Sequence, residues 1–335
     1  IGDDEPRLSF PDSVAVNADA GGVTAQVTWD PVSVSGGCDA ELGLVCTATH
    51  SFGVTIDHLI ETGGRFPPGL SEFECTTTDM CGLTASCEWR VNVSPATTVE
   101  LTVQLSPTMT PGPLHRCIEF EFYSNCVEPP LVEELTLEFG LPYNLPGYAT
   151  NVVTKVPAGQ YACVTARDPL HTLRSVAGLE IVDRRYVVTF EGDPFFGGNW
   201  LVGGNLNGDH VIDILDFGTY LSQYGLTVDA DTPCGTEGPH ADLDGDGEVN
   251  EDDMWFVETN LGQHDKDSCC PGGVSTALTP PIVEISVRDL ELMGLDHLDC
   301  ADLNGDGLLN QDDVAVFSRG GLKGKKKPDR DRDRN

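Results

Sequence analysis

The sequence predicts a mainly β protein: two β-sandwich domains followed by a small α region built on three repeated loops. Three observations predict it. Short period-two apolar runs separated by Gly, Pro and Asp fill residues 7–193. A twelve-residue pattern of oxygen-bearing side chains recurs three times after residue 200, and a short apolar run of helical length follows each copy.

In residues 7–95 the alternation is clearest at Val23, Ala25, Val27 and Trp29 and again at Trp89, Val91 and Val93, a pattern that buries one face of each strand. Residues 96–193 carry VELTVQLS, CIEFEFYS, LTLEFG, QYACVTARD and RYVVTFEG, which read as a second sandwich of roughly eight strands. The expected domains are therefore 1–95, 96–198 and a loop region at 199–322, followed by a tail at 323–335. Asn92-Val-Ser is a glycosylation sequon, and the Thr/Pro-rich stretch 106–113 is a loop with hydroxyls available for sugar.

The three repeats are Asn205–Asp216, Asp242–Asp253 and Asp302–Asp313. Ca²⁺ takes six to eight hard oxygen ligands. A twelve-residue loop wrapped round the ion supplies them from positions 1, 3, 5, 9 and 12, with the position-7 carbonyl completing the set. The middle copy offers Asp242, Asp244, Asp246, the Glu248 carbonyl, Asn250 and Asp253, with Gly247 at the turn. The third offers Asp302, Asn304, Asp306, the Leu308 carbonyl, Asn310 and Asp313 around Gly307. The first offers Asn205, Asn207, Asp209, the Val211 carbonyl, Asp213 and Asp216, and places His210 where the sharp turn favours glycine. Two to three Ca²⁺ ions are expected. The apolar runs after each loop, beginning at Ile214, Met254 and Val314, read as short closing helices.

Position 12 is Asp in every copy, whereas an ordinary EF-hand ends in Glu, and the residues before the loops show little sign of an entering helix. This pattern resembles the dockerin type I loop-helix repeat over residues 200–322, and the resemblance implies calcium binding. Dockerins that dock onto cohesins carry matching pairs at positions 10 and 11 of two closely spaced loops. Here the pairs are Ile214-Leu215, Glu251-Asp252 and Gln311-Asp312, all different. The segments FPDSVAV (10–16), VTW (27–29), FPPG (66–69), FECTTTD (73–79) and SCEWRVNV (86–93) resemble a hyalin repeat. That family is an immunoglobulin-like module of extracellular adhesion proteins, so the resemblance implies an immunoglobulin-like sandwich at 7–95. Cys81 departs from its pattern and leaves the family's disulfide pairing open.

The 335 residues carry 54 acidic and 19 basic side chains, a net charge of −35 that disfavours nucleic acid as a partner. Twelve cysteines without a paired CxxC pattern read as disulfides of an oxidising, extracellular compartment. A metal cluster of Cys81, Cys87 or Cys269 and Cys270 with a histidine is the alternative. No apolar stretch reaches eighteen residues, so no membrane span is expected, and the initial Ile reads as the start of a secreted, processed chain. The tail KGKKKPDRDRDRN carries seven basic and three acidic residues, a composition that predicts disorder and leaves −39 on residues 1–322.

No GxSxG, HExxH, Walker or GxGxxG pattern occurs, and no catalytic residue is assigned. His171, with Arg167, Asp168 and Arg174 nearby, is expected to sit in a solvated hairpin loop. The expected function is a secreted, non-enzymatic, calcium-stabilised structural or adhesive protein. Its expected partners are copies of itself in an extracellular filament or layer, or another extracellular surface protein. Residues Ile1–Pro6 or a linker at Thr97–Val103 are candidate strands for pairing with a neighbour. The alternatives are a module that docks to a cohesin-like partner and a secreted enzyme with its site in the second sandwich.

Overall fold

A computed structural model describes residues 5–38, 43–106, 108–140, 145–266, 269 and 280–320. The tail 323–335, Ile1–Asp4 and Cys270, which figure in the expectations above, lie outside the described residues. The elements are β1 (Arg7–Ser9), β2 (Val14–Ala18), β3 (Ala25–Thr28), β4 (Ser33–Ser35), β5 (Gly43–His50), β6 (Gly63–Phe66), β7 (Gly69–Thr78), β8 (Thr84–Gln104), β9 (Leu114–Tyr123), β10 (Leu131–Phe139), β11 (Tyr148–Pro157), β12 (Cys163–Arg167), β13 (Ser175–Gly178), β14 (Glu180–Val182), β15 (Arg185–Phe190), α1 (Ile214–Gln223), α2 (Glu251–Asn260), β16 (Glu284–Ser286), α3 (Val287–Met293), β17 (Leu308–Asn310) and α4 (Gln311–Ser318). The protein is mainly β with a small helical region, as the alternation predicts.

The described residues form two compact units: those within 1–100, 153–160 and 180–187, and those within 101–152, 161–179 and 188–320. β8 runs unbroken through residue 100. The expected linker at Thr97–Val103 is therefore strand, with Thr97, Val99, Leu101 and Val103 fully buried. β8 is an inner strand of its sheet, paired with β15, β7 and β11, and the alternation TVELTV turns one of its faces into the core.

In the first unit β7 lies between β5 and β8, both antiparallel to it. The pleat sends Phe73 and Cys75 inward from β7 and Cys87, Trp89 and Val91 inward from β8, while Glu72, Glu74 and Glu88 face solvent. Phe73 and Trp89, opposite in register, stack with centroids 4.8 Å apart, and Trp29 meets both edge-on. The Trp29 indole N–H donates to the Ile60 carbonyl at 3.1 Å. Disulfides join Cys46 to Cys75 across β5 and β7 and Cys38 to Cys81, whereas Cys87, opposite Cys75, is a buried free thiol that burial pushes above its usual pKa. Asn92 is exposed on β8, in register with Leu70.

In the second unit the sheet order is β10-β9-β12-β13. Phe120, Phe122, Leu137, Phe139, Val164 and Ala166 point inward, and Phe120 meets Phe190 of β15 at 6.3 Å. On the other face Arg167 and Arg174 pair with Glu119 and Glu121. Cys117–Cys234 and Cys163–Cys269 tie these strands to the region that follows, which contains α1 to α4. Cysteines 81 and 269 are thus in disulfides rather than a metal cluster. No helix among the described residues is long and apolar enough to cross a membrane.

Candidate calcium centres

The three repeats share the bonds that close the loop. In each, the position-12 carboxylate accepts from three backbone N–H groups. Asp253 Oδ1 takes Leu243 N at 2.6 Å and Asp244 N at 3.1 Å, and its Oδ2 takes Asn250 N at 2.8 Å. Asp216 does the same with Leu206, Asn207 and Asp213, and Asp313 with Leu303, Asn304 and Asn310. The position-9 side chains Asp213, Asn250 and Asn310 cap the following helices in reciprocal capping boxes with that same position-12 residue. One carboxylate thus closes the loop and starts the helix, and Asp is short enough for both tasks.

At position 1 the side chains fold back over the turn. Asp242 Oδ1 accepts from Gly245 N and Asp246 N, and Oδ2 from Gly247 N at 2.9 Å; Asp302 repeats this with Gly305, Asp306 and Gly307. Gly247 and Gly307 have φ of +86° and +83°. His210 holds the equivalent place in the first loop at +74°, a conformation that costs a β-carbon about 1–2 kcal/mol. Its Nδ1 faces Asp265 at 2.7 Å. His210→Gly is expected to tighten calcium binding at the first loop severalfold, measured by titration calorimetry on a chain with the other two loops intact.

The middle loop has the densest donor set: oxygens of Asp242, Asp244 and Asp246 converge within 4.8 Å of one another. Asp242, Asp253, Asp216 and Asp313 are fully buried, which is costly for carboxylates that lack a cation. Burial pushes the Asp253 carboxyl up to about 7 and Asp216 up to about 8. Burial first and the neighbouring Asp246 second push Asp244 up to about 6. Hard oxygens at this spacing fit Ca²⁺, which when bound would neutralise the cluster and hold the loop closed.

A pH dependence follows for the metal-free form. These folded pKa values lie above the unfolded value of 3.8, so between the two the folded state holds more protons and its stability falls as pH rises. In chelator, circular-dichroism melting of the helices should occur at a higher temperature at pH 5 than at pH 8. Millimolar calcium should remove or reverse that trend, because protons and the ion compete for the same oxygens.

The loops share a core. Phe317 of α4 packs edge-on against Phe217 and Tyr220 of α1, and the Tyr220 hydroxyl donates to the Asn250 carbonyl at 2.5 Å. The middle loop is also anchored to β9 and the turn before it. Thr110 Oγ1 donates to Asp244 Oδ2 at 3.0 Å, Thr110 N donates to the Asp244 carbonyl, and Arg116 Nη2 donates to the Asp242 carbonyl at 3.0 Å. An entering helix precedes only the third loop among the described residues: α3, followed by a 3₁₀ turn at Asp296–Ala301.

His171 lies elsewhere than expected. It is not in a solvated loop: Asp168, His171 and Arg116 are buried together beneath the middle loop. His171 Nδ1 meets Asp168 Oδ2 at 2.8 Å, its Nε2 meets His240 Nδ1 at 3.1 Å and Arg116 Nη1, and His240 Nε2 donates to the Asp229 carbonyl. Burial, then the Arg116 charge, pushes His171 down to about 4, so the imidazole is neutral at pH 7. Burial would raise Asp168, but His171 and Arg116 outweigh it and hold the carboxyl below its usual value. The expectation failed because Arg116 is 55 residues away from His171 in sequence and lies within an otherwise apolar inward row. Both imidazole nitrogens are thus engaged, Nδ1 by Asp168 and Nε2 by His240 and Arg116, and the cluster reads as support for the Asp242 loop.

No family model matches this chain, and no curated protein matches it. Among solved structures, the crystal structure of Drosophila N-cadherin EC1-4 is similar with a TM-score of 0.20 and 8% identity, over 56% of this chain and 50% of that one. The chain thus spans about half the length of that structure, and a likeness at this level carries no argument about fold or function.

Proposed function

We propose that this chain is a secreted, non-enzymatic, calcium-stabilised structural or adhesive protein whose copies associate outside the cell. The hyalin-like and dockerin-like resemblances of its sequence belong to this reading. The observation that carries it is the triplicate loop with its buried carboxylates Asp216, Asp242, Asp253 and Asp313, joined by Cys117–Cys234 to a disulfide-tied β body. Two to three Ca²⁺ ions would be held by the position 1, 3, 5, 7, 9 and 12 oxygens named above. Exposed Asn92 is a site for N-linked sugar.

Association has a candidate surface in β5. It ends the strand order β14-β15-β8-β7-β5 and exposes Leu44 and Val45, the latter at 65%. Residues 54–57 already cover the backbone of Ala48–His50, so it is the half of the strand carrying Leu44 and Val45 that invites strand addition by a neighbour. The test is light scattering with electron microscopy of the purified chain in millimolar calcium and after chelation. Calcium-dependent filaments or sheets are the expected result. A monomer under both conditions overturns the self-association and turns attention to a cohesin-like or other surface partner.

A further inference from the structure

We infer that a groove in the second unit is the docking surface of the basic segment 321–335 of the same chain. The groove encloses about 740 Å³ between the turn at residues 108–111, one face of α2 and the end of α4. Glu251, Trp255 and Glu258 stand four and three residues apart and so share the α2 face, and Asp252 adjoins them. All three carboxylates are exposed, and the Trp255 ring between them is 42% exposed. Lysine binds such a surface twice over, by charge to the carboxylates and by its ammonium over the indole face.

The occupant follows from where the chain leads. Arg319 and Gly320, the last described residues of α4's exit, themselves line the groove, and Ser318 Oγ donates to Glu258 Oε1 at 3.3 Å. The next residues are Gly-Leu-Lys-Gly-Lys-Lys-Lys, so four lysines follow within seven positions of Gly320. At 3.3–3.6 Å per residue they reach about 10–25 Å from Gly320, enough to cover the groove without leaving it. A segment tethered at the rim also acts at an effective concentration on the order of millimolar, which favours it over the same segment of another copy. Asp244 of the middle loop also lines the groove, but Glu251, Asp252 and Glu258, which the inference uses, are not among the loop ligands named above.

The test uses the full chain in millimolar calcium. A mixture of isotopically heavy and light protein is joined with a carbodiimide, which links lysine to carboxylate at zero length, and the joined peptides are sequenced by mass spectrometry. Links from Lys323–Lys327 to Glu251, Asp252 or Glu258 are expected within same-isotope pairs. Their yield should drop about tenfold at roughly 0.5 M salt, where exposed charges are screened, and likewise in a Glu251→Gln, Asp252→Asn, Glu258→Gln variant whose circular dichroism matches the parent. In a second variant with Lys323, Lys325, Lys326 and Lys327 changed to Gln, the Trp255 emission should shift toward that of a solvated indole. Mixed-isotope links, links spread over other carboxylates such as Glu133 and Glu134 at undiminished yield, or no links at all would overturn the inference.

Discussion

In chelator, or in the double variant Asp242→Ala with Asp246→Ala, the middle loop is expected to lose its order, and protease cleavage should appear within residues 238–262 while β7 and β8 stay protected. The carboxylates of Asp242, Asp244 and Asp246 converge within 4.8 Å and share their surroundings with buried Asp253. Without an ion that arrangement is held by backbone N–H donors and by the side chains of Thr110 and Asn250. A ligand bound only to the folded state stabilises it by RT ln(1 + [L]/Kd), about 2.7 kcal/mol at a hundredfold excess over Kd, for each site filled. Limited proteolysis and circular dichroism across a calcium titration check this. If the double variant matches the parent at low and high calcium alike, the loops are not the source of the stability.

Arg116→Met is expected to destabilise the second unit by about 3–5 kcal/mol, the cost of removing one partner from a buried ion pair. The guanidinium, 0% exposed, lies 3.9 Å from Asp168 and donates to the Asp242 carbonyl. Its loss strands the Asp168 carboxylate and frees one wall of the middle loop, so calcium affinity there should weaken along with the urea midpoint. Changing Asp168→Asn at the same time should recover part of the loss, because the stranded charge is then gone. Equilibrium urea unfolding of the two variants, read by tryptophan fluorescence, gives both numbers. An unchanged midpoint in Arg116→Met would show that the cluster is not under electrostatic load.

What could be read from the residues, and what could not, divides along sequence distance. The loops are local: twelve residues contain the turn, the oxygen-bearing side chains and the helix cap, so the spacing of Asp302, Asn304, Asp306 and Asp313 was enough to place a loop followed by a short helix there. The strand alternation is equally local and revealed the inward faces of β7, β8 and β9. The cluster under the Asp242 loop was not legible, because Arg116, Asp168, His171 and His240 come from four distant segments and each alone looks like a surface residue. The strand β8 defeated the expected boundary at residue 95 for a related reason. Ser94, Pro95 and Ala96 resemble a break in the pattern, yet the alternation resumes at once, and burial of Val99, Leu101 and Val103 carries the strand through.

The shared ring cluster of Phe217, Tyr220 and Phe317, with the Tyr220 hydroxyl on the Asn250 carbonyl, means that no loop is ordered in isolation. An ion that fixes one helix lowers the entropy still to be lost when the next loop closes, so the sites are linked and the linkage is reciprocal. Uptake should then be sigmoidal, with a Hill coefficient above one, and the protein would respond to calcium over a narrower concentration range than any single loop could achieve.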